Sequence, residues 1–253
     1  MSSGKGLLLG KRVVVLGGSR GVGREIVERA SAEGARVLAV ARVRLGLANL
    51  ANEARGVDVL ALDAASEAGP RKVFRKATPD LLVICGGATP PARPIPELTW
   101  AEFAVNWEVD TKMAFLFCRE ALRAPLAPGS VVVIISSGAG LGGSPISGGY
   151  AGAKRMQMFL AKYCQAESDR LELGIRFVAL VPSRVMPETQ LGRAAVNGYA
   201  RYLGVPPEKF LENMGARQSP ADVAQAVIDV AVKPATEAGS IFTISADGVA
   251  AGG

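Results

Sequence analysis

Three residues in the second half of the chain have the types and the spacing of a proton-transfer site. Tyr150 and Lys154 are four residues apart, and Ser137 lies thirteen residues before the tyrosine. If 149–172 forms a helix, residues i and i+4 share one face, so the phenol and the ammonium are neighbours. A nearby positive charge favours the phenolate and lowers the tyrosine pKa from its usual value of about 10. Such a tyrosine can exchange a proton with a substrate near neutral pH, and the serine hydroxyl can orient the same substrate oxygen.

A Tyr-x-x-x-Lys spacing is also common on the solvated face of a helix, so the surrounding elements decide between the two interpretations. Residues 11–16 form a β-branched run typical of a buried parallel strand, 17–23 are rich in glycine, and 24–33 follow the pattern of an amphipathic helix. Such a strand, turn and helix start can bind phosphate, because free N–H groups and the helix dipole attract an anion. The alternative is an ordinary tight turn between a strand and a helix.

These motifs, in this order, resemble the short-chain dehydrogenase/reductase family in its compact, single-domain form. Gly17, Gly21 and Gly23 match the glycine motif of that family, with Leu16 where threonine is usual. The spacing differs from the G-x-G-x-x-G of the general dinucleotide fingerprint. The resemblance extends over 11–248, which is nearly the whole chain.

Other motifs of the family are present in altered form. The Asn-Asn-Ala-Gly segment after the fourth strand is replaced by 84–87, which reads Ile-Cys-Gly-Gly. Asp110 stands where the family has an asparagine in the next helix, and Ser183 replaces the glycine after Pro182. With the Ser, Tyr and Lys set complete, these departures indicate a divergent member.

Predicted strands and helices alternate along the chain. This alternation predicts an α/β fold with a single doubly wound parallel β-sheet of about seven strands, Rossmann-like, with helices on both faces. The predicted strands are 12–16, 36–41, 57–62, 80–84, 130–136, 175–181 and 240–245. The predicted helices are 22–33, 44–54, 66–77, 97–123, 149–172 and 220–232.

No linker or internal repeat divides the sequence, so we expect one dinucleotide-binding and catalytic domain over 1–253. Two irregular regions interrupt the alternation: the proline-rich 88–96, and 184–217 after the sixth strand. The apolar and aromatic residues of 184–217 suggest a lid over the substrate. The alternative is that they pack this region onto the body or contact a partner subunit.

The end of the second strand bears on the choice of cofactor. An acidic residue there would bind the adenosine 2′-hydroxyl and repel a 2′-phosphate, but this chain has Arg42 and Arg44, with Arg20 in the glycine-rich turn. Because guanidinium groups suit phosphate, we expect NADP(H) to be favoured over NAD(H). The alternative is that these arginines are surface charges. Asp63 resembles the adenine contact of the family, or it caps a helix, as Ser66 also could.

The resemblance implies a role for each site residue. Tyr150 donates or accepts the proton, Ser137 orients the substrate oxygen, and Lys154 lowers the tyrosine pKa and binds the nicotinamide ribose. Asp110 can hold a relay water, pair with the lysine ammonium, or disturb the relay. The predicted cofactor contacts are Gly17, Ser19, Arg20, Gly21, Val22, Gly23, Arg42, Asp63, Ala64, Cys85, Gly86, Gly87, Tyr150, Lys154, Pro182, Ser183 and Val185.

Composition argues against several other classes of protein. The net charge of +6 is spread along the chain without a recognisable module, so we expect no nucleic-acid partner. There is no histidine, and the three cysteines are scattered, so we expect no metal and a reducing, cytoplasmic location. No apolar stretch is long enough for a membrane span or a signal-peptide core.

The sequence therefore predicts an NADP(H)-dependent carbonyl reductase or alcohol dehydrogenase acting on a small molecule. The alternatives are a cofactor-binding sensor or scaffold with little chemistry, and a reductase of C=N or C=C bonds. By resemblance we expect a homotetramer or homodimer that pairs through the helices around 97–123 and 149–172.

Overall fold

The computed structural model describes residues 6–54, 56–215, 217–233, 240–245 and 248–251, apart from the side chains of Leu45 and Asn52. Its strands form one sheet in the order β3-β2-β1-β4-β5-β6-β7-β8. The pairs from β3 to β7 are parallel, and β8 pairs antiparallel with β7. The predicted doubly wound fold is confirmed, with an antiparallel edge strand that the sequence did not indicate.

The strands end close to the predicted positions. They are β1 Arg12–Leu16, β2 Arg36–Ala41, β3 Val57–Ala61, β4 Leu81–Ile84, β5 Val131–Ile135, β6 Arg176–Pro182, β7 Ile241–Ser245 and β8 Gly248–Ala251. All residues of β4 and β5 are buried, because helices cover both faces of the sheet. Burial on two faces explains why these strands are continuous β-branched and aliphatic runs rather than alternating ones.

Ten α-helices are present in the described part of the chain. They are α1 Gly21–Ala32, α2 Arg44–Glu53, α3 Gly69–Lys76, α4 Trp100–Asn106, α5 Lys112–Arg123, α6 Ala139–Gly142, α7 Gly148–Arg170, α8 Gln190–Leu203, α9 Pro207–Asn213 and α10 Pro220–Val232. One apolar core lies between the sheet and α1, α2 and α10, and a second lies between the sheet and α3, α5 and α7. Alternate residues of each central strand enter the two cores, as the pleat of a strand requires.

The prediction of one continuous helix over 97–123 is wrong. Ile95–Glu97 forms a short 3₁₀ turn, and α4 begins only after Thr99, whose side chain forms a capping box with Glu102. A π-helical turn, Trp107–Thr111, then separates α4 from α5. A π turn inserts an extra residue into the helical repeat, and such turns are frequent at functional sites.

The predicted irregular region 184–217 contains two helices, α8 and α9, and Ala216 lies outside the described residues. Thr189 caps α8 by accepting a hydrogen bond from the Gly192 N–H, and Gly204 ends the helix in the left-handed conformation. The rings of Tyr199 and Phe210 stack 5.2 Å apart and join α8 to α9. These two rings therefore pack α8 and α9 against each other within the region.

Candidate active site

A cleft of about 710 Å³ opens at the carboxyl ends of the parallel strands. Ligands bind at this edge in doubly wound sheets. The strand order reverses between the neighbouring strands β1 and β4, so the connections that follow these two strands leave toward opposite faces of the sheet and open a crevice between them. Every residue predicted for the site lines this cleft. They are Gly17, Ser19, Arg20, Gly21, Val22, Gly23, Arg42, Asp63, Ala64, Cys85, Gly86, Gly87, Asp110, Ser137, Tyr150, Lys154, Pro182, Ser183 and Val185.

The glycine-rich turn fits against the end of β4 backbone to backbone. Gly17 has a φ of +82°, and a Cβ there would lie 2.6 Å from the Gly86 Cα. A Cβ on Gly23 would lie 2.2 Å from the Gly17 carbonyl oxygen. These approaches exclude side chains at both positions, which gives the glycine motif a structural cause in this chain.

The N-terminus of α1 is open to the cleft. Its N-cap residue, Arg20, has an extended backbone and forms no side-chain cap among the described residues, and the first turn contains no acidic side chain. Free N–H groups and the positive end of the helix dipole therefore face the cleft. This donor set suits the pyrophosphate of a dinucleotide.

Two exposed arginines border the same end of the cleft. Arg20 and Arg42 both line it, whereas Arg44, the first residue of α2, is not among its lining residues. Residues 40–43 at the end of β2 contain no acid. This end of the cleft is therefore positively charged.

Asp63 follows β3 and lines the cleft, but it does not cap a helix. Its Oδ1 accepts a hydrogen bond from the Ala65 N–H at 3.1 Å, and its carbonyl accepts one from the Ser66 hydroxyl at 2.7 Å. These bonds form a turn, and α3 begins only at Gly69, three residues after the predicted start. The helix-cap alternative for Asp63 and Ser66 is therefore wrong.

The three residues with catalytic spacing meet in the cleft from two elements. Tyr150 and Lys154 lie in α7, with the Lys154 Nζ 5.5 Å from the centroid of the tyrosine ring. Ser137 follows the end of β5, and its Oγ accepts a hydrogen bond from the Ala139 N–H at 3.2 Å. The predicted neighbourhood of phenol and ammonium is present.

The Lys154 ammonium is buried, with 7% of its side chain exposed. Its Nζ donates to the Ile135 carbonyl at 3.2 Å and to Gln157 Oε1 at 3.1 Å. It also forms an ion pair of 3.4 Å with Asp110 Oδ2. The chain thus pairs the buried lysine with a buried carboxylate, as one of the sequence alternatives for Asp110 proposed.

Burial of the ammonium acts to lower the Lys154 pKa. The Asp110 carboxylate acts to raise it, with smaller contributions in the same direction from Tyr150 and Cys85. The net shift of the Lys154 pKa is upward, so this side chain carries its charge at neutral pH.

Asp110 lies in the π turn and also fixes the loop after β4. Its Oδ1 accepts hydrogen bonds from the Ala88 N–H at 2.8 Å and from Asn106 Nδ2 at 3.3 Å. A Cβ on Gly87 would lie 2.6 Å from Asp110 Oδ2, so only glycine leaves room for this carboxylate. Gly87, which keeps the glycine of the family segment, and the altered residue Asp110 therefore fit each other.

Cys85 contributes a neutral thiol to the cleft. Burial raises its pKa to about 11, although the nearby Lys154 charge acts in the opposite direction. A thiol in this environment is packed and unreactive.

Sequence reasoning missed two buried polar residues of the site. Gln157 is fully buried, and its Nε2 donates to the Asp110 carbonyl at 3.2 Å. Asn106 is buried as well and donates to the Ala88 carbonyl at 2.8 Å. The available signal was spacing, because Gln157 is three residues from Lys154 and Asn106 is four residues from Asp110, which places each pair on one helix face.

Within the described ranges, no three His, Cys, Asp or Glu side chains are grouped so that they could hold a metal ion. Among the same residues, no helix combines the length and the apolar character that crossing a bilayer requires.

The sequence matches the family model described as "short chain dehydrogenase" over residues 11–197. L-xylulose reductase of Bos taurus is 30% identical over 190 residues, which cover 74% of this chain and 76% of the relative. A 2,5-dichloro-2,5-cyclohexadiene-1,4-diol dehydrogenase of Sphingobium indicum is 30% identical over 236 residues, covering 87% of this chain and 89% of the relative.

A solved structure has the same fold. It is a 3-ketoacyl-(acyl-carrier-protein) reductase from Brucella melitensis complexed with NADH, with a TM-score of 0.77 and 22% identity. The match covers 92% of this chain and 96% of that one.

Proposed function

Because the chain belongs to the short-chain dehydrogenase/reductase family of nicotinamide-dependent oxidoreductases, we propose that it interconverts a carbonyl compound and a secondary alcohol with NADP(H). The observation that carries this proposal is the meeting of Ser137, Tyr150 and Lys154 in one cleft with the glycine-rich turn. A protein that only senses a cofactor has no use for such a proton donor. We also propose that 1–253 acts as one catalytic domain with 184–217 as its lid.

The residues present fit a dinucleotide. The turn at 17–23 and the open end of α1 would hold the pyrophosphate, Asp63 and Ala64 the adenine, and Gly86 and Gly87 the adenosine ribose. Lys154 would bind the nicotinamide ribose, while the wall formed by 182–185 would face the nicotinamide. When bound, the nicotinamide supplies or accepts the hydride at the carbon of the substrate.

The side chains of the chain handle the proton. In the reducing direction the Tyr150 hydroxyl gives its proton to the substrate oxygen as that oxygen gains charge, and the phenolate is reprotonated afterwards. The Ser137 hydroxyl donates a hydrogen bond to the same oxygen and fixes its position. The Lys154 ammonium stabilises the phenolate through its positive charge, and Asp110 keeps that ammonium charged.

The preference for NADP(H) is supported by the charge at the end of β2. Arg20 and Arg42 line the cleft there, and 40–43 contain no acid that would repel a 2′-phosphate.

Apolar and aromatic residues of the cleft support a ketone of moderate, partly apolar character. Ile146, Met186, Leu191 and Tyr199 are among its lining residues. These side chains suit a cyclic ketone better than an open-chain sugar, although a sugar ketone is named for one relative. A substrate panel should therefore include both classes.

The test is NADPH consumption with a panel of cyclic ketones, L-xylulose, imines and enones, comparing the wild type with Tyr150→Phe. We expect turnover of at least one ketone by the wild type and loss of turnover in the variant, with NADPH binding retained in both. NADPH binding without turnover of any compound by the wild type would support a sensor or scaffold, and turnover of imines or enones alone would support the C=N or C=C alternative.

We also propose a homotetramer or homodimer in the cytoplasm. Phe115 of α5 and the stacked Phe159 and Tyr163 of α7 are exposed, which suits contact with a second copy of the chain. All three cysteines are free, which suits a reducing compartment. A sizing column with light scattering checks the oligomer, and a monomer at micromolar concentration would contradict it.

A further inference from the structure

The side chain of Gln157 links Lys154 to Asp110, the two residues of the buried ion pair. Its Oε1 accepts a hydrogen bond from the Lys154 Nζ at 3.1 Å, and its Nε2 donates to the Asp110 carbonyl at 3.2 Å. The orientation of the amide follows from these partners, because an ammonium can only donate and a carbonyl can only accept. Gln157 is fully buried, so water does not compete for either bond.

The ion pair beside this amide is longer than its chemistry favours. Charge-assisted N–H···O bonds between an ammonium and a carboxylate are typically about 2.7–2.9 Å. The Lys154 Nζ lies 3.4 Å from Asp110 Oδ2, while its two neutral acceptors, on Gln157 and Ile135, are closer. These two acceptors use two of the three N–H groups and hold the ammonium away from a closed ion pair.

We propose that Gln157 is a positioning residue that keeps the Lys154 ammonium between Asp110 and Tyr150, and thereby sets the pH range in which Tyr150 exchanges its proton. This inference rests on the proposed oxidoreductase function.

Three titratable groups face the ammonium from the elements packed around it. They are Asp110 from the π turn, Tyr150 from α7 itself and Cys85 from the end of β4, whereas β5 contributes only the uncharged Ile135 carbonyl. Cys85 is a neutral thiol below a pH of about 11. Asp110 and Tyr150 are therefore the two groups that compete for the charge over the working pH range.

Loss of the Gln157 amide removes one of the bonds that hold the ammonium in place. The Asp110 carboxylate is then the strongest remaining acceptor, so the ion pair closes and the positive charge moves away from the phenol. Closing the pair from 3.4 Å to about 2.8 Å moves the ammonium by about 0.6 Å, which weakens its attraction to the phenolate and moves the Tyr150 titration upward by about a quarter of a pH unit.

The experiment uses Gln157→Met, which keeps the length of the side chain and removes both hydrogen bonds. Tyr150 is titrated by tyrosinate absorbance as the difference between each protein and its Tyr150→Phe counterpart, which needs no turnover. The pH profile of kcat/KM for alcohol oxidation is measured in parallel. We expect both midpoints to rise by about a quarter of a unit.

The same substitution in an Asp110→Asn background provides the decisive comparison. Without the carboxylate nothing draws the ammonium away, so Gln157→Met should then leave the Tyr150 midpoint unchanged. Equal shifts in both backgrounds, or no shift in either, would overturn the proposal.

Gln165→Met is the matched structural control, because Gln165 also lies in α7 and accepts a hydrogen bond from the Phe177 N–H outside the cleft. It should lower the melting temperature without moving the midpoint. If Gln157→Met does not fold, Gln157→Asn carries the test, since its shorter amide cannot reach both partners. Absence of turnover in every protein would contradict the proposed function alone, because the absorbance titration still decides the role of Gln157.

Discussion

At one end of the cleft the charges of Arg20 and Arg42 are exposed to solvent, whereas at the other end Lys154 and Asp110 are buried almost completely. Both arginine side chains are exposed, and neither forms an ion pair among the described residues, so they can turn toward a ligand phosphate. The buried pair is enclosed by Gln157, Asn106 and backbone carbonyls. The phosphate end thus uses charge for recognition, and the catalytic end uses charge to control a proton, so the two ends should respond differently to substitution.

The largest effect on activity is expected at the catalytic end. Tyr150→Phe removes the proton donor and should lower kcat/KM by about 10²–10⁴-fold, the usual contribution of general acid catalysis. NADPH affinity should stay within about twofold, because the phosphate end is intact. Tyr163→Phe on the exposed face of α7 is the matched control and should keep full activity. Equal losses in the two variants would contradict the assigned role.

The largest effect on stability is expected when one partner of the buried Lys154–Asp110 ion pair is removed. Lys154→Met leaves the Asp110 carboxylate buried without its cation, which should lower the free energy of unfolding by about 3–5 kcal/mol. Asp110→Asn in the same background removes that charge and should recover at least half of the loss. A more exposed pair near the phosphate end, Arg24 with Glu53, should cost less than about 1 kcal/mol when Glu53→Gln breaks it, since this variant leaves the other pair of Arg24, with Glu28, in place. Denaturant unfolding of the wild type and the three variants measures these free energies. Similar losses of unfolding free energy for the buried and the exposed pair would contradict the difference between the two ends of the cleft.

The stabilisation from Lys154 has a defined pH dependence. Its pKa in the folded chain lies above the unfolded value, which is about 10.4, because Asp110 and its other neighbours outweigh burial. The contribution is therefore complete below that pH and is lost as the pH rises through the folded pKa. The difference in unfolding free energy between the wild type and Lys154→Met should stay constant from neutral pH to about pH 10 and shrink above it. If this difference in unfolding free energy shrank as the pH was lowered instead, the upward direction of the Lys154 pKa shift would be contradicted.

The smallest of these effects concerns cofactor choice. The wild type should bind NADPH at least about tenfold more tightly than NADH, a difference of about 1.4 kcal/mol. Arg42→Asp should abolish this preference, because it replaces a guanidinium group that can bind phosphate by a carboxylate that repels it, at the edge of the cleft. Arg44→Asp should retain it, since Arg44 does not line the cleft. Isothermal titration with both cofactors measures the ratio, and equal affinities of the wild type would refute the preference.

The two ends of the cleft also differed in how far sequence predicted them. The turn at 17–23 contains Arg20, and Arg42 follows the next strand, β2, so the order of these neighbouring elements predicted their place. The contacts of Lys154 join β5, the π turn and α7, which local spacing cannot bring together. The pattern predicted a continuous helix over 97–123, because a π turn leaves the apolar content of the segment unchanged. Glutamine is common on the exposed faces of helices, so the residue type of Gln157 did not indicate burial. The packed fold shows that its side chain is buried.

Hydride transfer from labelled cofactor tests the central claim most directly. NADPH carrying deuterium at the transferable position of nicotinamide C4 is mixed with the enzyme and a ketone that the panel identifies, and the product is examined by mass spectrometry. We predict an alcohol with one deuterium on the carbinol carbon, formed at similar rates by the wild type and by Tyr163→Phe and at least about a hundredfold more slowly by Tyr150→Phe. Bound NADPH that keeps its deuterium with every ketone, or equal labelling by Tyr150→Phe, would contradict the account.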